Sequence, residues 1–88
     1  MGQVAVLFRL MPQGVETDME AMAKAIRPAL PSGVTVRGMQ VKDIAFGLKS
    51  LLVSVVMADT GGILDSTEQS LAKVPHVESV EVMEEGLL

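Results

Sequence analysis

The sequence predicts an α+β sandwich, a four-stranded antiparallel sheet with two helices on one face, and three observations predict it. Four segments alternate or run densely in apolar residues and are separated by Gly and Pro. Two intervening segments instead repeat apolar residues at three- and four-residue steps. The resulting order is βαββαβ, and two helices with one apolar stripe each can cover one sheet face together. The chain has 88 residues, 49% of them hydrophobic, which suits one domain over residues 1–88 with a single core.

Residues 3–11 place Val4, Val6, Phe8 and Leu10 on one parity and Ala5, Leu7 and Met11 with Arg9 on the other, a strand apolar on nearly both sides. Pro12, Gln13 and Gly14 end it. Thr17 followed by Glu20 has the spacing of a capping box, so a helix is expected from Asp18. Its stripe is Met19, Met22, Ala23, Ile26 and Leu30, and Pro28 predicts an ending or a kink. Residues 34–44 form a second strand whose apolar parity changes across Gly38, which a bulge there explains. Residues 48–57, dense in Leu and Val, have the content of a central strand. Asp59, Thr60, Gly61 and Gly62 break the pattern before Leu64, Thr67, Leu71 and Val74 recur at helical spacing. Residues 76–83 make the fourth strand, with Glu84, Glu85, Gly86, Leu87 and Leu88 as a short exposed end. The whole is the ferredoxin-like split βαβ plan, in which the first and third strands are central.

Composition narrows the function. Seven Lys and Arg against eleven Asp and Glu give a net charge of −4, which argues against direct nucleic-acid binding. The absence of Cys removes disulfides, thiol nucleophiles and thiolate metal sites. No apolar run approaches the ~20 residues of a membrane span, and the first ten residues lack a basic region before the apolar stretch. A soluble, cytoplasmic monomer is expected.

Catalytic chemistry finds no team. His76 has Glu78 and Glu81 nearby, but a partly exposed residue opening a strand is the plainer account, and no metal site is expected. No Ser stands at a recognisable spacing from His and acid. Gly61 and Gly62 precede a helix without the Lys of a phosphate loop, so a turn is expected there. Glu84 and Glu85 are adjacent on an extended segment and point to opposite sides. RNA-binding sheets of this topology stack bases on strand aromatics, yet the aromatics here are Phe8 and Phe46 alone. Phe8 shares the core parity. Phe46 lies at the turn between the second and third strands, where it either faces a partner or folds back as a lid over the sheet end.

The stretch Asp43-Ile44-Ala45-Phe46-Gly47-Leu48-Lys49-Ser50-Leu51 resembles the Phe-Gly signature of the elongation factor 1-beta family, most closely its short archaeal form. The opening strand ending in Met11 and Pro12, the Gly61-Gly62 pair and the closing Val77-Glu78-Ser79-Val80-Glu81-Val82 fall where that family has similar segments. The resemblance implies a guanine nucleotide exchange factor for the GTPase elongation factor 1-alpha, without covalent chemistry and without a cofactor. It also implies partner contacts at Ile44, Phe46, Gly47 and Lys49 and at the C-terminal Leu87 and Leu88. Eukaryotic members carry a penultimate Lys that intrudes toward the Mg²⁺ site, and this chain has Leu87 there. An isobutyl group cannot compete electrostatically with a divalent cation. Displacement is left to Lys49, to Phe46 or to the apolar end.

Two other classes share the predicted topology. An ACT-like module would bind a small molecule beside a loop after the first strand, for which Pro12, Gln13 and Gly14 are the candidate. A plain assembly domain would bury Phe46, Leu87 and Leu88 against a second copy.

Overall fold

The computed structural model describes residues 2–87. Seven elements follow in order: β1 (Gln3–Pro12), α1 (Met19–Lys24), α2 (Ile26–Ala29), β2 (Val34–Ala45), β3 (Leu48–Ala58), α3 (Ile63–Ala72) and β4 (Val77–Leu87). They make a four-stranded antiparallel sheet of order β2-β3-β1-β4. The α+β ferredoxin-like plan is thus present, with β1 and β3 central.

The core follows the parity of the central strands. Val6, Phe8 and Leu10 of β1 and Leu51, Val53, Val55 and Met57 of β3 are buried against Met22, Ile26 and Leu71 of the helices. Each such aliphatic or aromatic side chain contributes about 1.5–3 kcal/mol by leaving water. Thr67 is buried within α3, and its hydroxyl donates to the Ile63 carbonyl at 2.7 Å, so the polar group costs little there.

The first helix differs from expectation at its start, and the break expected near Pro28 is present. Asp18, not Thr17, is the N-cap: its Oδ1 accepts from the backbone N–H groups of Glu20 and Ala21 at 3.1 Å each. A carboxylate cap also meets the positive end of the helix dipole, an advantage that the Thr hydroxyl lacks. Interruption falls at Ala25, dividing α1 from α2. A Pro ring clashes with the carbonyl four residues earlier, and Pro28 therefore acts on Lys24, the last residue of α1.

The second strand changes register between Val36 and Gly38, with Arg37 as the extra residue, which is the bulge expected there. The last strand corrects the sequence reading. Residues 84–87 are not a free end but continue β4, where Glu84, Glu85, Gly86 and Leu87 pair with Leu7, Val6, Ala5 and Val4. A shift between Leu7 and Phe8 loops out Met83 and resets the ladder, and β1 supplies partners that the local sequence does not reveal. His76 stands just before β4, exposed, with φ 72° rather than in the strand.

Candidate functional site

Strand length decides which part of the molecule stays bare. β2 has 12 residues and β3 has 11, whereas α3 has 10. At about 3.3 Å per strand residue and 1.5 Å per helix residue, the hairpin outruns the helices by more than half its length. From Gln40 through Gly47 every residue is exposed.

At the tip, Ala45 pairs with Leu48 and leaves Phe46 and Gly47 as a two-residue loop. Their φ values are 52° and 80°. Positive φ at both central positions is the signature of a type I′ turn, whose twist matches that of the flanking strands. Gly47 adopts it without a Cβ penalty. For Phe46 the left-handed region costs about 1–2 kcal/mol, and Asn is the residue that ordinarily fills such a position. The residue is 102% exposed, so no burial offsets the strain. The lid alternative is thereby removed. A side chain held against both conformational preference and hydration points to a use outside the chain.

The neighbouring groups form an apolar tip with a charged collar. Ile44 is 46% exposed and sits in the register irregularity between Asp43 and Ala45. Val41 is exposed as well. Lys49 is exposed and stands opposite Asp43 in the ladder. Ser50 closes the site from below: it is buried and donates to the Lys42 carbonyl at 3.4 Å. Ile44, Phe46, Gly47 and Lys49 therefore share one end of the molecule.

Leu87 does not join them. It pairs with Val4, which pairs in turn with Met57, nine residues along β3 from Leu48. At about 3.3 Å per residue that is roughly 30 Å away, on a body whose long axis is 43 Å. Leu87 is 76% exposed at this opposite end, and Leu88 lies outside the described residues. Sequence reasoning missed Val41, which shares the core parity of Met39. The available signal was the length of the strands against that of the helices.

Among the described residues, no group of three or more His, Cys, Asp or Glu could hold a metal ion. Among the same described residues, no helix is long and apolar enough to cross a membrane. Exposed apolar side chains stand at both ends of the long axis, Ile44 and Phe46 at one and Leu87 at the other.

Comparison with known proteins identifies the family. Residues 5–87 match the EF-1 guanine nucleotide exchange domain. Elongation factor 1-beta of Methanococcoides burtonii is 40% identical over 86 residues, 98% of this chain and 97% of that protein. Elongation factor 1-beta of Methanosarcina mazei is 38% identical, covering 96% of each chain. The Haloarcula marismortui protein of the same name is 34% identical over the full length of both. Among solved structures, the C-terminal domain of the MgtC protein from Mycobacterium tuberculosis superposes with a TM-score of 0.54 at 18% identity, covering 100% of this chain and 88% of that one. That likeness bears on the fold alone. With residues 5–87 matched and relatives 34–40% identical covered over nearly their full length, the chain belongs to the EF-1 guanine nucleotide exchange domain family.

Proposed function

We propose that this chain acts in the cytoplasm as a single exchange domain that accelerates GDP release from the GTPase elongation factor 1-alpha. The Phe46 hairpin is its principal contact, and Leu87 at the end of β4, together with the C-terminal residue Leu88, is a second. The observation that carries the assignment of the site is Phe46, fully exposed at φ 52° within the exchange-domain match. No covalent step is required. A factor that binds the nucleotide-free GTPase more tightly than the GDP form must, by linkage, weaken GDP by the same factor. Holding two ends roughly 30 Å apart lets one rigid sheet press on separated parts of the partner, and differential contact is what shifts such an equilibrium. Ile44 and Gly47 shape the tip, and Lys49 adds the cationic group nearest to it.

The test is release of fluorescent GDP from the GTPase, with and without this protein and with Phe46→Ala. Parent protein is expected to accelerate release. Loss of an anchor at an interface centre removes about 2 kcal/mol or more of binding, so the variant is expected to be slower by well over tenfold. An unaltered rate in the variant would remove Phe46 from the mechanism, and no acceleration by the parent would remove the proposed partner.

A further inference from the structure

Phe46 is not the only strained residue at its end of the molecule. Among the described residues, the non-glycine residues at positive φ are Phe46 at 52° and His76 at 72°. The Val77 N–H donates to the Val74 carbonyl at 3.2 Å, closing a four-residue turn with Pro75 and His76 at its centre. Pro followed by positive φ is the pattern of a type II turn, whose second central position ordinarily takes Gly or Asn. A Cβ there works against the backbone. The fold uses only the main chain of His76, whose carbonyl accepts from the Gln13 N–H at 3.0 Å. Glycine would supply that carbonyl equally well. The side chain is exposed, and among the described residues it makes no hydrogen bond or ion pair. Strain and exposure without an internal use thus recur together, as they do at Phe46.

Strand register puts the two residues near each other. Val77 pairs with Pro12, two residues along β1 from Leu10, and Leu10 pairs with Leu51. β4 therefore begins level with Lys49, and His76 stands about level with Leu48. β1 alone separates β3 from β4. Two strand spacings sideways and two residues along place His76 roughly 12 Å from Phe46, against roughly 30 Å for Leu87. The bond from Gln13 also ties this turn to the connection between β1 and α1. There the Thr17 N–H donates to the Gly14 carbonyl at 3.2 Å, and Val15 at the corner is 62% exposed. The end is stepped: the hairpin projects, and beside it lies a lower shelf formed by Val15 and His76.

We infer that this shelf is a further contact for the partner seated on Phe46, with His76 as its recognition residue, an inference that rests on the exchange-factor reading. A standard interface takes about 800 Å² from each partner, a patch roughly 30 Å across. A partner centred on Phe46 therefore reaches His76, whereas a two-residue loop by itself offers far less than that area. The imidazole can donate and accept hydrogen bonds, and Val15 supplies apolar surface beside it. The closed turn and the Gln13 bond fix the His76 backbone before contact, which lowers the ordering cost of binding. The partner surface that fits is a pocket for Phe46 flanked by a raised polar lip that settles on His76.

Release of GDP from elongation factor 1-alpha, at factor concentrations below saturation, tests the inference with His76→Gly. The variant is expected to release GDP at least fivefold more slowly than the parent while melting no lower, since Gly suits the turn. His76→Asn tolerates positive φ and keeps a hydrogen-bonding side chain, and it is expected to stay within about twofold of the parent. His76 is the single His of the chain, so isotope-labelled protein gives one imidazole signal in solution NMR. That signal is expected to move when unlabelled, nucleotide-free GTPase is added. A parent that fails to accelerate release overturns the exchange reading and this inference with it. If the parent is active, a His76→Gly variant of equal activity, or an imidazole signal unmoved at saturation, overturns the shelf contact alone. Slower release with a melting temperature several degrees lower would make His76 a support of the turn, and that too overturns the contact.

Discussion

The two ends of the sheet are built by opposite means. At one end a two-residue turn joins neighbouring strands and holds Phe46 in a conformation that its own Cβ resists. At the other, the end of β4 lies in regular antiparallel register with the start of β1, its residues exposed but unstrained. The hairpin tip depends on four or five consecutive residues and the far end on pairing between opposite ends of the chain. A local device can place one side chain accurately without the core, and a non-local one inherits its position from the whole sheet.

The largest expected effect that separates the two ends is on exchange. Phe46→Ala should slow GDP release by well over tenfold while leaving the melting temperature unchanged, because a fully exposed ring holds nothing together. A variant that melts several degrees lower would show that the ring supports the hairpin instead. Next in size is Gly47→Ala. The φ of 80° there is costly for any residue with a Cβ, and denaturant titration is expected to show a loss of about 1–2 kcal/mol.

The third variant sharpens the comparison by reversing a sign. Phe46→Asn supplies the residue that a type I′ turn prefers, so stability is expected to rise by about 1 kcal/mol while exchange falls as it does for Phe46→Ala. Stability and exchange moving in opposite directions would mark strain kept for contact. The smallest effect is expected at the regular end. Leu87→Ala should change stability by less than about 0.5 kcal/mol, since the side chain is mostly in water, and should slow release only severalfold. If Leu87→Ala equals Phe46→Ala in the release assay, the ranking of the two ends is wrong.

The same contrast explains what could be read from the sequence. Period-two and helical patterns gave the element order, and apolar density made β1 and β3 central, as they are. The parity change at Gly38 gave the bulge. The Phe46-Gly47 pair was legible because turn chemistry is local. Its left-handed backbone was not, since Phe is an unusual occupant of that conformation. The end of β4 was hidden for a different reason: Glu84, Glu85 and Gly86 look like solvated tail, and only their register with Leu7, Val6 and Ala5 makes them strand. The Thr17–Glu20 spacing pointed to the Thr hydroxyl as the cap, and the side-chain charge of Asp18 at the helix end favoured its carboxylate instead. The separation of Leu87 from Phe46 follows from topology: Phe46 precedes the start of β3 and Leu87 ends β4, and both strands run antiparallel to the β1 that lies between them.

The strand order also sets the sequence of events by which the molecule forms. β1 is made early, yet its neighbours are β3 and β4, so neither of its edges can be paired until much later segments have emerged. β2 and β3 need no such wait, because only Phe46 and Gly47 lie between them. Their hairpin is the most local strand pairing in the sheet, and loop closure costs least there. The strained residue proposed for contact with a partner therefore sits at the most local bend of the sheet. If this turn is formed in the folding transition state, relief of its strain speeds folding, and faster refolding of Phe46→Asn in stopped-flow mixing is the expected signature.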